Sequence, residues 1–187
     1  MTDPALDAFV VHLADALVAV GVPYAIVGSY ASSTLGRARA TQDVDLVVRL
    51  RRVQVRALAL HFPEELYYFD EEMARDAVRR GSMFNVIELE TSWKADFIVA
   101  SSPLSHEEID RALTLDVGGH VVRIATAEDT IIAKMEWSKR TGSERQLEDV
   151  AGVLLVRAGQ LDVARIESWV SRLGLETQWD RARQLAR

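Results

Sequence analysis

The sequence predicts an α+β fold in which helices flank a mixed β-sheet and a helical bundle forms the C-terminal part. Short apolar runs bounded by Gly, Pro or charged residues occur up to residue 125 and are typical of buried strands. From Thr126 onward, apolar residues recur at helical spacing instead. We therefore expect an α/β core over residues 1–125 and a helical subdomain packed on it over residues 126–187.

The composition is that of a folded protein with little affinity for nucleic acid over its surface as a whole. The chain has 187 residues, of which 49% are hydrophobic, and its net charge is −6. This charge argues against a broad nucleic-acid-binding surface, although it leaves room for a local basic groove. The sequence contains no cysteine, which excludes disulfides and thiolate metal sites.

The sequence also bears on where the protein works. Its N-terminal residues lack the pattern of a signal peptide, and no apolar run is long enough to span a bilayer. We therefore expect a cytoplasmic protein without a membrane partner. The oligomeric state stays open, because the apolar helices of the C-terminal part fit several states equally well.

Apolar periodicity and turn residues predict the elements of the first 125 residues. A helix begins at Pro4 and ends at Gly21, as proline suits a first helical turn and glycine a helix end. Further helices are predicted over residues 29–35, 52–62, 71–80 and 105–113. Strands are predicted over residues 24–27, 44–48, 66–69, 83–88 and 95–99, and residues 117–124 are expected to form an edge strand or a hairpin.

The C-terminal part carries helix-capping patterns. Thr126 precedes Asp129 by three residues, and Ser143 precedes Gln146 in the pattern of a capping box. Gly174 follows an amphipathic segment and predicts its end. A last short helix is predicted around Trp179.

Three aspartates at the starts of predicted strands give the main chemical signal. Asp43 and Asp45 alternate with Val44 and therefore point to the same side of one strand, while Asp96 begins a later strand. Carboxylate oxygens are the ligands that Mg²⁺ prefers. Such a site can hold the attacking and leaving oxygens of a phosphoryl transfer in line, and one carboxylate can accept a proton from an attacking hydroxyl group.

A Gly28-Ser29 pair lies between the first predicted strand and a predicted helix. The free N–H groups at a helix N-terminus favour an anion such as phosphate. Taken alone, a Gly-Ser pair or two alternating aspartates are more often structural than catalytic. Their order along the chain, with Asp96 on a later strand, favours a site for a divalent metal and a phosphate.

Residues in this order resemble the nucleotidyltransferase superfamily, which includes DNA polymerase β and the antibiotic adenylyltransferases. The family pattern is a Gly-Ser or Gly-Gly pair, an Asp-x-Asp motif and a third aspartate on a later strand, which here are Gly28-Ser29, Asp43-Val44-Asp45 and Asp96. The run from Arg39 to Asp45 resembles the Arg-x-Thr-x-Asp-x-Asp version of the second motif, found in the AbiEii-like toxin branch.

The resemblance implies a nucleotidyltransferase-like fold and a set of roles for individual residues. Asp43, Asp45 and Asp96 would be catalytic and would bind Mg²⁺, with Mn²⁺ as the alternative metal. The implied nucleotide-binding residues are Gly28, Ser29, Arg39, Thr41, Lys134 and Asp149. The last two lie in segments 128–134 and 145–149, which resemble the downstream motifs of the AbiEii-like branch.

Plainer interpretations of three of these residues stand beside the functional ones. Arg39 could be a solvated or aspartate-paired residue of a loop. Lys134 could be a solvated lysine on a helix surface. Asp149 could pair with Arg145 one helical turn earlier, a contact that stabilises a helix only slightly.

The resemblance implies an enzyme that transfers a nucleoside monophosphate from an NTP to an acceptor hydroxyl group and releases pyrophosphate. A tRNA end or a partner protein, as in toxin–antitoxin systems, is the first expectation for the acceptor, because of the AbiEii-like motif. The alternatives are a small-molecule antibiotic as acceptor, or a non-catalytic nucleotide-binding or regulatory module on the same fold. An Asp96 side chain pointing away from Asp43 and Asp45 would favour the non-catalytic module.

Overall fold

The computed structural model describes residues 4–36, 41 and 43–187 of the chain. Its contacts group the chain into two compact units, residues 1–27 with 41–125 and residues 28–40 with 126–187. Segment 28–40, which we expected within the core, thus groups with the C-terminal helices. The packing of a C-terminal subdomain on the core stays a prediction.

Seven strands form one mixed sheet in the first unit. In chain order they are β1 (Tyr24–Val27), β2 (Asp43–Val48), β3 (Tyr67–Phe69), β4 (Met83–Glu88), β5 (Lys94–Val99), β6 (Leu113–Val117) and β7 (His120–Ile124). Their order in space is β3-β4-β5-β2-β1-β7-β6. Strand β2 runs parallel to β5 and β1 runs parallel to β7, whereas the other neighbours are antiparallel.

The α-helices confirm the predicted α+β class, in which helices flank the sheet and also follow it. They are α1 (Pro4–Val20), α2 (Gly28–Leu35), α3 (Val55–Ala59), α4 (Glu71–Arg80), α5 (Pro103–Arg111), α6 (Ala127–Thr141), α7 (Glu144–Val156), α8 (Val163–Leu173) and α9 (Glu176–Leu185). None of the helices within the described residues combines the length and the apolar character needed to cross a membrane.

An aromatic core anchors β5 on one face of the sheet. Phe97 is fully buried, with its ring centroid 5.0 Å from that of Phe84 and 6.5 Å from that of Phe62. Side chains alternate along a strand, so Ala95 and Phe97 point into this core while Asp96 points to the opposite face. Burial of Phe97 therefore fixes which way Asp96 faces.

A smaller apolar cluster lies on the opposite face of the same sheet. Ala25 and Val47 pack there with Ile109 of α5, and all three side chains are buried. Val27 also belongs to this cluster, and its register partner on β2 is Asp45. Helix α5 thus covers one end of this face.

Two predicted segments differ from the structure, and tertiary contacts explain the first difference. Residues 52–62 were predicted as one helix, but they form a 3₁₀ turn (Arg52–Gln54) and the short α3. The Gln54 side chain accepts a hydrogen bond from the Arg51 backbone at 3.0 Å and donates one to the Val20 carbonyl at 3.1 Å. These bonds hold the chain in the tighter turn.

The second difference concerns residues 105–124. Ser102 caps α5 by accepting a hydrogen bond from Ser105 N at 3.1 Å, so the helix begins at Pro103, two residues earlier than predicted. Strand β6 begins at Leu113 and pairs with β7 in a hairpin, so of the two predicted alternatives the hairpin is observed. Both turn glycines, Gly118 and Gly119, have positive φ angles, which glycine adopts without steric cost.

In the second unit, the predicted cap of α6 is confirmed and that of α7 is wrong. Thr126 Oγ1 accepts a hydrogen bond from Asp129 N at 3.1 Å. Within the described chain, the Ser143 side chain accepts no capping hydrogen bond from α7. Gln146, the other residue of the predicted box, instead accepts a hydrogen bond from Lys134 Nζ at 3.1 Å.

Helix α2 and helix α7 lie close together in this unit. A Cβ atom added to Gly36 would come within 2.9 Å of Val153 N and 3.0 Å of Ser32 O. Both are backbone atoms, which have little freedom to move aside. Only glycine therefore fits at the end of α2.

We expect Phe97→Ala to lower the free energy of unfolding by about 3–5 kcal/mol, because it leaves a cavity in a packed aromatic cluster. Leu60→Ala, at a side chain that is 72% exposed, is the control and should change it by less than about 0.5 kcal/mol. Urea unfolding followed by circular dichroism measures both. Equal changes in the free energy of unfolding of the two variants would contradict the conclusion that Phe97 is central to the aromatic core.

Candidate active site

The parallel pair β2–β5 brings the predicted carboxylates together. Asp45 is the register partner of Asp96, and Asp43 is the partner of Lys94. Register partners on adjacent strands share one face of a sheet, and residues two apart on one strand do so as well. The three aspartates and Lys94 therefore lie on the same face, side by side.

The three carboxylates differ in their exposure to solvent. The side chain of Asp43 is 54% exposed, whereas that of Asp96 is 12% exposed. Asp45 lies between these extremes. The Oδ1 atom of Asp96 is buried and meets no hydrogen-bond donor among the described residues. A buried acceptor without a donor is costly, so this oxygen is a natural point of attachment for a cation or a proton.

Lys94 is part of this cluster, although the sequence analysis did not identify it. Its Nζ atom lies 2.9 Å from Asp96 Oδ2 and 3.9 Å from Asp43 Oδ1. The hydrogen bond to Asp96 raises the pKa of the Lys94 ammonium group, and the charges of Asp96, Asp43 and Asp45 add to this effect against the opposing cost of burial. The alternation Lys-x-Asp in the sequence was the signal that could have revealed it.

Thr41 supports the first carboxylate from the chain just before β2. Its hydroxyl group donates a hydrogen bond to the Asp43 carbonyl at 2.9 Å, and Asp43 N lies 3.4 Å from the same oxygen. The hydroxyl group thus holds the turn that leads into the strand. Arg39, the other predicted nucleotide-binding residue of this loop, lies outside the described residues.

The residues on this face fit a divalent cation by their chemistry. Asp43, Asp45 and Asp96 supply hard carboxylate oxygens, and one of these is Asp96 Oδ1, which has no hydrogen-bond donor in the described part of the chain. A positive charge already lies among them in the form of the Lys94 ammonium group. Over residues 4–36, 41 and 43–187, no three His, Cys, Asp or Glu side chains converge into a ready-made metal site.

Helix α2 begins at Gly28, one residue before the predicted start at Ser29. The helix follows directly on Val27, the residue of β1 that pairs with Asp45. Gly28 has a φ angle of 66°, a left-handed conformation that favours glycine where the strand turns into the helix. The N-terminal turn of a helix is a common place for an anion in other proteins, because its N–H groups and the helix dipole favour negative charge.

The structure pairs Lys134 with Asp149 inside the helical unit. Lys134 Nζ lies 2.8 Å from Asp149 Oδ2, and the lysine is only 4% exposed. The interpretation of Lys134 as a solvated surface lysine is therefore wrong. A nucleotide-binding role for either residue stays a prediction, because the ammonium group is engaged here by Asp149 and Gln146.

The seven-stranded mixed sheet with its helices has the fold of nucleotidyltransferase-like proteins. Two solved structures establish this fold. An antigenic nucleotidyltransferase-like protein from Paracoccidioides brasiliensis matches with a TM-score of 0.53 and 16% identity, over 97% of this chain and 93% of its own. ANT(2'')-Ia in complex with adenylyl-2''-tobramycin matches with a TM-score of 0.50 and 16% identity, over 91% of this chain and 97% of its own.

These likenesses confirm the predicted resemblance at the level of the fold. The sequence itself matches no protein-family model and no curated protein. In the sequence, the resemblance therefore rests mainly on the short motifs around β1, β2 and β5 and not on similarity over the whole chain.

We expect Lys134→Met to lower the free energy of unfolding by about 3–5 kcal/mol, because it leaves the mostly buried Asp149 carboxylate without its ammonium partner. The double variant Lys134→Met with Asp149→Leu is the control and should recover most of this loss, since both charges are then gone. Urea unfolding without nucleotide measures both variants. A loss below about 1 kcal/mol in the single variant would contradict a structural role for the pair.

Proposed function

We propose that this protein is a Mg²⁺-dependent nucleotidyltransferase, which transfers a nucleoside monophosphate from an NTP to an acceptor hydroxyl group. The observation that carries this proposal is the register of β2 and β5, which sets Asp96 beside Asp45 and on the same face as Asp43. The nucleotidyltransferase-like fold supports the general type of reaction.

Asp43, Asp45 and Asp96 are the proposed metal-binding residues. A divalent cation bound by them would neutralise charge on the phosphates and hold the attacking and leaving oxygens in line. Mn²⁺ offers the same preference for oxygen ligands and is the alternative metal. The strands hold these carboxylates rigidly, which is what a metal site requires of its ligands.

Asp96 is also the proposed proton acceptor. In the reaction the acceptor oxygen forms a bond to the α-phosphorus, and the bond from this phosphorus to the leaving pyrophosphate breaks. The proton of the acceptor hydroxyl group passes to the Asp96 carboxylate. The Oδ1 atom of Asp96 supports this role, because it accepts no hydrogen bond from residues 4–36, 41 or 43–187 and can accept the proton.

Gly28 and Ser29 are the proposed binding site for nucleotide phosphate, through the N–H groups at the start of α2. Arg39 is proposed to assist as a positive charge. Thr41 acts in this proposal by holding the backbone of Asp43. Lys134 could bind a triphosphate only by leaving Asp149 and Gln146, and we propose a structural role for this pair instead.

The geometry of Asp96 favours a catalytic protein over a non-catalytic module on the same fold. An Asp96 side chain directed away from the other carboxylates would have favoured the module. Its register with Asp45 and its ion pair with Lys94, which also approaches Asp43, support the opposite arrangement.

Two classes of acceptor are candidates. A tRNA end or a partner protein, as in toxin–antitoxin systems, rests on the AbiEii-like run from Arg39 to Asp45 in the sequence. A small-molecule antibiotic is the second candidate, favoured by the likeness in fold to ANT(2'')-Ia, whose structure contains adenylyl-2''-tobramycin.

We expect the purified protein to bind at least one of the four common NTPs in the presence of Mg²⁺. The double variant Asp43→Asn with Asp45→Asn should weaken this binding at least about tenfold, because both proposed metal ligands lose their charge. Isothermal titration calorimetry measures each affinity, and Glu176→Gln with Asp180→Asn, at two exposed residues of α9, is the charge-matched control. Equal binding by the double variant, or no binding by the wild-type protein, would refute the proposal.

We expect Mg²⁺ and α-labelled NTPs to give a labelled product with one class of acceptor. The wild-type protein is incubated separately with total cellular RNA, with cellular protein and with a panel of aminoglycosides. Label in RNA or protein supports the first candidate, and label in the aminoglycoside fraction supports the second. The same incubations with Asp96→Asn should give no product, and product from this variant would contradict the role of Asp96.

A further inference from the structure

Lys94 contributes a fixed positive charge to the carboxylate face. It lies on the same strand as Asp96, two residues earlier, and its cross-strand partner is Asp43. The ammonium group lies 2.9 Å from Asp96 Oδ2 and 3.9 Å from Asp43 Oδ1. The lysine side chain is 34% exposed, so the cluster is partly shielded from water.

Three carboxylates on one face repel one another, and the repulsion grows as solvent is excluded. Asp96 is the most buried of the three, with 8% of its residue surface exposed, and a buried charge requires a partner of opposite sign. Lys94 supplies that partner through Oδ2. The other oxygen, Oδ1, keeps no donor among the described residues.

A divalent cation and the ammonium group compete for the same oxygens. Mg²⁺ prefers carboxylate oxygens, and one of the candidate ligand atoms, Asp96 Oδ2, is already held by Lys94. Two cations within a few ångströms of each other repel.

We propose that Lys94 is the resident counter-ion of this cluster: its ammonium group neutralises Asp96 and Asp43 in the metal-free protein, and a divalent cation binds after displacing it from Asp96. This inference rests on the proposed function, because it takes Asp43, Asp45 and Asp96 as the metal ligands. Lys94 is a positioning residue in this account. It stabilises the empty site and lowers the affinity of the site for metal.

The test measures binding of Mn²⁺ alone by isothermal titration calorimetry. Lys94→Met should bind Mn²⁺ about tenfold more tightly than the wild-type protein, because no ammonium group then competes for Asp96. Lys94→Arg keeps the positive charge and is the matched control, expected within about threefold of the wild-type affinity. If Lys94→Met does not fold, Lys94→Gln gives the same comparison, since it keeps a hydrogen-bond donor but removes the charge.

A second measurement follows thermal unfolding without nucleotide. Metal-free Lys94→Met should unfold at a lower temperature than the wild-type protein, and saturating Mn²⁺ should raise this temperature more in the variant than in the wild-type protein. A lysine that only packed against the strand would lower the unfolding temperature without changing the affinity for metal.

The remaining outcomes separate the two proposals. Unchanged or weaker Mn²⁺ binding by Lys94→Met, together with loss of binding in Asp43→Asn with Asp45→Asn, overturns the role of Lys94 and leaves the proposed function standing. Absence of Mn²⁺ binding in the wild-type protein and in Lys94→Met overturns both.

Discussion

The parallel pairing of β2 with β5 is the contact on which the proposed site depends. It joins two segments separated by some fifty residues of sequence, in a register that sets Asp45 beside Asp96. Both strands are interior to the sheet, with β1 on one side and β4 on the other, so the register is supported from both directions. The aromatic core around Phe97 holds β5 from the opposite face. The pairing of the strands and the packing of the aromatic core thus set the positions of the carboxylates, although no carboxylate belongs to that core.

The second constraint is that a buried charge needs a partner of opposite charge. In each unit, the buried carboxylates named below pair with a lysine or an arginine of the same unit. In the first unit, the Lys94 ammonium group balances the buried Asp96 carboxylate on the charged face of the sheet. In the second unit, Arg165 donates to the fully buried Asp129 at 2.6 Å, and Lys134 pairs with Asp149. Buried ion pairs of this kind add little net stability, but each partner becomes costly once the other is removed. The helical unit can thus use charged residues for its own structure rather than for a ligand.

Local signals in the sequence were sufficient to predict many of the helices and strands. Strand β4 and helix α4 were predicted to the residue, because alternation and a glycine at the helix end define them locally. The helix over residues 52–62 and the cap at Ser143 were wrong for a common reason: Gln54 and Gln146 bond to residues distant in sequence. For the proposed site, the sequence singled out three aspartates, and the register showed that they are neighbours, while their roles stay predictions. Lys94 was missed because the motifs considered consist of carboxylates, although its alternation with Asp96 indicated that the two side chains share a face.

Strand β5 combines two tasks in consecutive residues. Ala95 and Phe97 belong to the buried core, while Lys94 and Asp96 belong to the charged face. The two sets therefore tolerate different substitutions: the first must keep volume, and the second must keep charge. Inserting or deleting one residue within β5, between Lys94 and Phe97, would move the residues on one side of the change to the opposite face and damage both tasks at once. Among related sequences, we therefore expect length variation to accumulate in the loops and to be selected against within this strand.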